Sequence, residues 1–169
     1  MGNQLFYYVE TMSQLQLRPA RPSDTRAILQ LINHYSAKGQ MLPRSFAQVV
    51  EKIRDFVVAS AVDGGTSSIR GVVALHVVGE DLAEVRSLAV EESLQGQGVG
   101  RQLMEKCLAE ARALGLHRVF TLTYRTEFFS KLGFEKVEKL TLPQKIWGDC
   151  VHCAKFSDCD EIAMIKNIH

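Results

Sequence analysis

Three glycines lie within five residues at the start of a helix-forming stretch. Gly96, Gly98 and Gly100 separate a strand-like run that ends at Val90 from a basic, helix-like segment. Glycine in a helix interior costs about 1 kcal/mol relative to alanine, so this cluster indicates that backbone atoms must stay uncovered. Successive N–H groups at a helix N-terminus attract phosphate, so the spacing predicts a site for a phosphorylated ligand. The alternative is a tight strand-to-helix turn in which the glycines are incidental.

The residues around these glycines exclude two common nucleotide-binding motifs. A P-loop needs a lysine and then a serine or threonine after its last glycine, whereas arginine and glutamine follow Gly100. A dinucleotide-binding fingerprint needs two residues between its second and third glycines, whereas Val99 alone separates Gly98 from Gly100. The remaining pattern is Q-x-x-G-x-G, which begins at Gln95 and joins a strand to a helix.

Two charged side chains interrupt the apolar strand that leads to the glycine turn. Glu84, Arg86 and Leu88 share one face of this strand if no bulge intervenes, because side chains alternate along a strand. A carboxylate in this position can act as a general base, and an arginine can bind a carboxylate through its planar fork. The alternative for Glu84 is a solvated charge at a strand end.

Three cysteines near the C-terminus have a spacing that resembles metal sites. Two residues separate Cys150 from Cys153 and five separate Cys153 from Cys159, and His152 lies inside the group. A structural zinc site needs four ligands, and no fourth ligand is evident because Cys107 falls on the buried face of a helix. These cysteines can therefore be packed thiols or part of a metal site, and no metal ligand is assigned. A disulfide is disfavoured in a reducing compartment.

Hydrophobic periodicity predicts the elements that must position these residues. The order is β-α-α-β-β-β-α-β-α-β with a further strand at the end, in which antiparallel hairpins precede a βαβ crossover. This order predicts a mixed α/β sheet. The predicted strands are 14–20, 56–62, 69–78, 81–90, 118–124, 133–137 and 161–167, and the predicted helices are 25–38, 45–53, 99–114 and 127–132.

Local signals indicate where the helices begin and which faces they bury. Ser23 or Asp24 can cap the first helix, and Ser45 with Gln48 forms a capping box for the second. The helix after the glycine turn repeats small and apolar residues at steps of four and three, so it is expected to bury one face. The residues expected on that face are Leu103, Cys107, Ala111 and Leu114.

Length and composition limit the class of protein. The chain has 169 residues, 46% hydrophobic and 23% charged, with a net charge of +1, as in ordinary globular proteins. We expect an extension over residues 1–14 and one domain over residues 15–169. The near-neutral charge does not favour nucleic acid as a partner, and no apolar run reaches the length of a membrane span. Because no secretion signal is evident, a cytoplasmic location is expected.

The motif from Gln95 to Gly100, the preceding strand EVRSLAV and the downstream FFSKLGF resemble the GCN5-related N-acetyltransferases (GNATs), which bind acetyl-CoA. The resemblance implies an α/β GNAT fold, a mixed and mostly antiparallel sheet flanked by helices. It also implies an acetyl-CoA cleft between the splayed fourth and fifth strands. In such a cleft the backbone of the fourth strand would pair with the pantetheine arm and the turn would hold the pyrophosphate. The implied cofactor-binding residues are Leu88, Ala89, Val90, Gln95, Gly96, Gln97, Gly98, Gly100, Arg101 and Phe129.

A narrower resemblance concerns the acceptor. The segments GQMLPRS, AEVRSLAV, GLHRVFTLTYRTEFFSKLGF and LPQKIWGDC are similar to the acetyltransferase module of N-acetylglutamate synthases, above all to short amino-acid N-acetyltransferases of arginine biosynthesis. This likeness implies glutamate as acceptor, and a homodimer stays open. The alternatives are glutamine, another small amine, a protein N-terminus or lysine, and a non-catalytic acetyl-CoA sensor. The larger synthases carry a kinase-like domain, and none is expected within these 169 residues.

Acetyl transfer needs a base, a donor for the oxyanion and an acid for the leaving thiolate. The resemblance implies Glu84 as the base and a backbone N–H at Leu88 or its neighbour as the oxyanion donor. Phe129 stands where many GNATs have a tyrosine acid, so Tyr124 is the expected replacement, with water as an alternative. The alternative for Glu84 is a solvated charge, and the alternative for Tyr124 is an ordinary packed aromatic residue at a strand end. The residues expected to bind the acceptor's carboxylates are Arg44, Arg86 and Lys145.

Overall fold

The computed structural model describes residues 15–63, 65–143 and 158–169. The expected extension over residues 1–14 and the expected ligand Lys145 lie outside the described residues. The predicted element order is confirmed. The strands are β1 (Gln16–Pro19), β2 (Phe56–Asp63), β3 (Thr66–Val77), β4 (Leu82–Val90), β5 (Arg118–Thr123), β6 (Glu135–Lys136) and β7 (Ile162–Asn167), and the helices are α1 (Thr25–Ser36), α2 (Phe46–Glu51), α3 (Val99–Ala113) and α4 (Thr126–Lys131).

The strands form one seven-stranded sheet in the order β1-β2-β3-β4-β5-β7-β6. In the described part of the chain, β4 and β5 pair in parallel and every other neighbouring pair is antiparallel. Helix α3 makes the connection between the two parallel strands, as a βαβ crossover requires. The sheet is therefore the mixed, mostly antiparallel sheet that the sequence predicts.

Strands β4 and β5 separate soon after they meet. Their ladder joins residues 82–84 of β4 to residues 118–120 of β5. Strand β4 then continues to Val90 beside β3, while β5 continues to Thr123 beside β7. The carboxyl-terminal halves of the two parallel strands are thus held by different neighbours. A wedge opens between them, on the side where the glycine turn begins.

A β-bulge interrupts β4 beside this wedge. Val72 pairs with Ala89 and Ala74 pairs with Arg86, so β4 contains one more residue than β3 between these two pairs. Ser87, in the bulge, has a φ of 55°. Left-handed backbone is uncommon for residues other than glycine, and the extra residue bends a bulged strand.

The bulge reverses the alternation of side chains along β4. Leu88 packs against the core under α3, the same core that contains Val85. Arg86 lies opposite Ala74, a member of the core on the other face, and Glu84 shares that face because it lies two residues away. Leu88 therefore does not share a face with Glu84 and Arg86. The sequence expectation held only without a bulge, and a bulge is present.

Two apolar cores hold the helices on opposite faces of the sheet. Helix α3 buries Leu103, Cys107 and Ala111 in the first core, each at most 1% exposed. Helix α1 buries Ile28 and Ile32 in the second core, where α2 also packs. Within the described residues, no helix combines the length and the apolar character that crossing a bilayer requires.

Two local expectations require correction. The prediction that Leu114 is buried is wrong, because α3 ends at Ala113 and the Leu114 side chain is 58% exposed. Asp24 precedes α1, but its side chain makes no capping bond to that helix. Its carboxylate instead accepts two hydrogen bonds from Arg18, at 2.7 and 3.0 Å, and one from the backbone N–H of Arg21 at 2.8 Å.

The capping box of α2 is confirmed. Ser45 Oγ accepts from the backbone N–H of Gln48 at 3.2 Å, and Gln48 Oε1 accepts from the backbone N–H of Ser45 at 2.8 Å. This box fixes the start of the helix that follows the loop carrying Arg44.

Candidate active site

A cleft of about 1230 Å³ lies where β4 and β5 separate. Its walls come from both strands, the glycine turn before α3, the loop between α1 and α2, and helix α4. The volume is larger than that of a site for one small ligand, so the cleft has room for a large cofactor and a second substrate. Among the described residues, every predicted site residue lines this cleft apart from Gln97.

The three glycines of the turn have different structural reasons. Gly96 and Gly98 have φ values of 77° and 84°, a left-handed conformation that strains other residues. Gly100 lies inside α3 with ordinary helical geometry, and a Cβ added there would meet the Phe128 ring at 3.6 Å, a normal contact distance. Two glycines are thus required by backbone conformation, whereas the third leaves the cleft wall uncovered.

The side chains of the turn's two glutamines hold the turn in place. Gln95 Nε2 donates to the carbonyl of Val90 at 3.1 Å and to the Tyr35 hydroxyl at 2.8 Å, and that hydroxyl donates to the same carbonyl. Burial raises the pKa of Tyr35, so its hydroxyl keeps its proton and stays a donor. Gln97 Nε2 donates to the carbonyl of Ser93 at 2.9 Å. The glutamine side chains and the Val90 carbonyl therefore stabilise the turn itself.

The N-terminus of α3 presents backbone donors to the glycine-lined end of the cleft. The first hydrogen bond of the helix runs from the N–H of Gln102 to the carbonyl of Gly98, at 3.0 Å. The N–H groups of residues 99–101 precede that bond and have no carbonyl partner within the helix. The Arg101 side chain pairs with Glu105 at 2.9 Å, where both are exposed. This geometry fits the pyrophosphate of CoA.

Glu84, Arg86 and Arg44 lie in the part of the cleft away from the glycine turn. Arg86 Nη1 is 3.7 Å from Glu84 Oε2, and the two side chains are 14% and 15% exposed. Asn33 of α1 holds the backbone of Arg44, since its Oδ1 accepts from the Arg44 N–H at 3.3 Å and its Nδ2 donates to the Arg44 carbonyl at 3.4 Å. A proton acceptor and two guanidinium groups therefore line one cleft.

Aromatic residues form the opposite wall. Tyr124, at the end of β5, is 37% exposed, and its hydroxyl donates to Asp160 Oδ1 at 2.7 Å. Sequence reasoning missed Asp160, which reaches this wall because β7 pairs with β5. Phe129 is buried and meets Phe128 and Phe134 edge to face, at ring-centroid distances of 5.2 and 5.3 Å. It contributes packing to the wall of the cleft and has no proton to donate.

The cysteines differ in their surroundings. Lys139 Nζ donates to the carbonyl of Cys159 at 2.9 Å and lies 3.5 Å from its Sγ. Burial raises the pKa of the Cys107 thiol to about 12, which makes it an inert core residue. Cys150 and Cys153 lie outside the described residues. Within the residues that the structure describes, no three His, Cys, Asp or Glu side chains are grouped as metal ligands would be.

Comparison with known proteins identifies the family. The acetyltransferase (GNAT) family model matches residues 23–134. An uncharacterized N-acetyltransferase of Chlorobaculum tepidum is 41% identical over 152 residues, which cover 90% of this chain and 96% of that protein. An amino-acid acetyltransferase of Mycobacterium tuberculosis is 36% identical over 133 residues, which cover 79% of this chain and 75% of that protein.

Solved structures with CoA resemble the whole described fold. A Mycobacterium tuberculosis protein in complex with CoA matches with a TM-score of 0.76 and 31% identity, over 91% of this chain and 99% of that chain. N-acetylglutamate synthase from Neisseria gonorrhoeae, complexed with coenzyme A and N-acetyl-glutamate, matches with a TM-score of 0.81 and 25% identity. That match covers 92% of this chain but 35% of the longer synthase. The wedge between β4 and β5, the glycine turn and these matches lead to one conclusion. The chain belongs to the GNAT family and is an N-acetyltransferase that uses acetyl-CoA.

Proposed function

We propose that this enzyme transfers the acetyl group of acetyl-CoA to the α-amine of an amino acid, with glutamate as the acceptor. The observation that carries the proposal is that Arg44, Arg86 and Glu84 line the same cleft as the glycine turn. Relatives named amino-acid acetyltransferases and the synthase bound to N-acetyl-glutamate support it. The product would be N-acetylglutamate, which enters arginine biosynthesis.

The two arginines suit an acceptor with two carboxylates. A guanidinium group binds a carboxylate through two parallel hydrogen bonds, and glutamate offers an α-carboxylate and a side-chain carboxylate. Arg86 is largely buried in the cleft wall beside Glu84, and a carboxylate of the acceptor would add a second anionic partner to its guanidinium group. An amine within a polypeptide lacks the α-carboxylate and would lose one of these partners.

Glu84 supplies the base that the reaction needs. The amine of an amino acid is protonated near neutral pH and must lose a proton before it can attack the thioester. The Glu84 carboxylate lies in the cleft, next to the residues proposed to hold the acceptor. The β4 bulge places backbone atoms near Leu88 in the same wall, where an N–H can stabilise the developing oxyanion. Tyr124 stays the proposed acid for the leaving thiolate.

Removing either arginine tests the choice of substrate. Arg44→Ala and Arg86→Ala should each raise the KM for glutamate by about 30-fold or more, because truncating one partner of a desolvated charge pair costs about 2–5 kcal/mol. The KM for acetyl-CoA should change little. Lysine at either position should restore activity only in part, since an ammonium group lacks the planar fork. Steady-state kinetics with glutamate and glutamine side by side give these values.

The comparison of the two acceptors shows which carboxylate each arginine binds. An arginine that holds the α-carboxylate affects both acceptors equally, and one that holds the side-chain carboxylate affects glutamate alone. Arg54, an exposed arginine outside the cleft lining, provides the control Arg54→Ala. If neither cleft variant changes either KM, the assignment of glutamate is wrong. An assay across the twenty amino acids and a peptide with an unblocked N-terminus tests the alternative acceptors, and preference for the peptide would contradict the proposal.

Glu84→Gln tests the proposed base. The variant should lower kcat by about 10²-fold, the lower end of the usual contribution of a positioned acid–base group. Raising the pH should restore part of the rate, because more of the acceptor amine is then neutral without help. Glu135→Gln, at an exposed position on β6, serves as the matched control and should keep full activity. A Glu84→Gln enzyme with normal kcat near neutral pH would assign the base role to another group.

A further inference from the structure

A second, smaller cavity of about 220 Å³ adjoins the main cleft. It lies between α2, the turn that follows α2, and the face of β3 and β4 that carries Arg86. Arg44, Arg86 and Ser87 line both cavities, so the two are neighbours across these side chains. The wall of the small cavity contains an aspartate–histidine pair. His76 Nδ1 is 2.8 Å from Asp55 Oδ2, and the two side chains are 25% and 26% exposed.

The register of the sheet brings this pair next to the proposed base. His76 of β3 lies directly opposite Glu84 of β4 in their antiparallel ladder. Opposed residues share a sheet face, with Cβ atoms about 4.5–5.5 Å apart, a separation at which one water molecule can bridge their side chains. Asp55, His76 and Glu84 therefore follow one another across three adjacent elements, from the turn after α2 to the wall of the main cleft.

We propose that His76, held by Asp55, carries the acceptor's proton from Glu84 to solvent through the small cavity. This inference rests on the proposed role of Glu84 as base, but it needs no particular acceptor.

The proton balance of acetyl transfer creates the need for such a route. The acceptor ammonium first gives one proton to Glu84, which frees the nitrogen lone pair. Attack forms the C–N bond and breaks the C–S bond, Tyr124 gives its proton to the CoA sulfur, and the nitrogen's second proton restores Tyr124. That second proton is thus consumed in forming the thiol, so the first one must leave Glu84 before the next turnover. With acetyl-CoA and an acceptor in the main cleft, the side of Glu84 next to His76 leads toward the small cavity, which His76 lines.

The Asp55 contact suits His76 to this step. A neutral imidazole that donates its Nδ1–H to Asp55 keeps Nε2 as a proton acceptor. A proton on Glu84 then passes to Nε2, and the ring gives it to the solvent buffer through the small cavity that His76 lines. Asp55 fixes the ring orientation throughout. The charged groups around the pair are Arg44 from the loop, Glu51 and Lys52 from the end of α2, Glu84 and Arg86 from β4, and Glu110 from α3.

Chemical rescue tests the inference. In weakly buffered solution, His76→Ala should lower kcat by about tenfold, less than the loss expected of the base itself, while both KM values stay unchanged. Added imidazole should restore the rate with saturation, since a cavity of about 220 Å³ can admit a ring that replaces the missing side chain. His76→Gln should show the same loss with a smaller response, because its side chain occupies part of that space. Asp55→Asn should lower kcat without responding to imidazole.

The controls separate proton transfer from a loss of structure. His117→Ala, at an exposed position outside both cavities, should keep its rate and show no response to imidazole. A His76→Ala enzyme with full kcat in weak buffer overturns the inference, as does a loss that imidazole leaves unchanged in both His76 variants. Either result leaves the proposed acetylation of amino acids standing. If the enzyme turns over no amino acid, that proposal fails instead, and the rescue is measured with the amine that it accepts.

Discussion

Gly98 and Gly100 are two positions apart, but their backbones have different conformations. Gly98 has a φ of 84° and no atom within 4 Å of an added Cβ, so backbone strain rather than crowding opposes a side chain there. Gly100 is helical, and an added Cβ would contact Phe128 and Val90 at 3.6 and 3.8 Å. The same residue type thus serves the fold at one position and access to the cleft at the other.

Alanine substitution should separate these two roles. Gly98→Ala should lower the free energy of unfolding by about 1–2 kcal/mol, the cost of a left-handed residue with a Cβ. Gly100→Ala should not lower it, because alanine is favoured over glycine within a helix by about 1 kcal/mol. It should instead weaken acetyl-CoA binding, since its methyl group would cover the backbone near the N-terminus of α3. Urea unfolding and calorimetric titration with acetyl-CoA measure the two effects. Equal loss of stability in both variants, or unchanged affinity in Gly100→Ala, would contradict this division.

The glycine turn could be predicted at residue level because its pattern is local. Residue type likewise singles out Glu84, Arg44 and Arg86, which line one cleft, and their roles stay predictions. Asp160 could not be found in this way, because its contact with Tyr124 depends on the pairing of β5 with β7. The contact of His76 with Asp55 likewise joins residues whose proximity comes from packing.

At the level of elements, an ion pair ties β1 to the start of α1. Arg18 of β1 donates twice to Asp24, and these hydrogen bonds hold the pKa of Asp24 below its ordinary value against the opposing effect of burial. The two side chains are 14% and 10% exposed. A carboxyl group whose folded pKa is lowered stabilises the fold above its unfolded pKa, and this contribution disappears as the pH falls through the folded value.

Asp24→Asn should therefore destabilise the protein by about 1.5–3 kcal/mol near neutral pH, the usual range for hydrogen bonds to charged groups. The difference from the unsubstituted protein should shrink as the pH falls below about 4, the ordinary pKa of aspartate, and should be lost as the pH passes through the lower pKa of the folded state. Urea unfolding between pH 7 and pH 3 measures this dependence. Asp81→Asn is the matched control. Asp81 pairs with Arg118 at 2.9 Å with both side chains nearly half exposed, so its loss should cost at most about 1 kcal/mol. Equal effects of the two substitutions would contradict the argument.

Element order and type could be predicted because hydrophobic periodicity and capping residues act over a few positions. The capping box of Ser45 and Gln48 is one such signal. The sequence predicts the end of α3 one residue too late because Leu114 continues its apolar repeat, although the helix stops before it. The β4 bulge left no local signal, since Ser87 is an ordinary strand residue by type. Its left-handed backbone results from pairing with β3.

At the scale of the whole molecule, the cleft divides the sheet into two parts that acetyl-CoA should join. The ladder between β4 and β5 stops at residues 84 and 120, and the proposed pantetheine site lies along Leu88, Ala89 and Val90. Hydrogen exchange should slow at backbone amides in residues 85–90 and 97–101 when acetyl-CoA binds, because bound ligand then protects them. Amides of β2 paired with β3 provide the internal control and should change little. Unaltered exchange in residues 85–90 at saturating acetyl-CoA would contradict the added-strand arrangement.

The β4 bulge makes the length of this segment matter more than the chemistry of each residue in it. Deleting one residue between Glu84 and Ala89 would remove the bulge and restore the regular alternation of side chains along β4. Glu84 and Arg86 would then face α3, or Leu88 and Val90 would face the loop that carries Arg44. Ser87 could be replaced by glycine or asparagine, which tolerate its left-handed φ of 55°. No single substitution compensates for an insertion or deletion, so the length of this stretch decides which β4 side chains face the core under α3 and which face the core under α1.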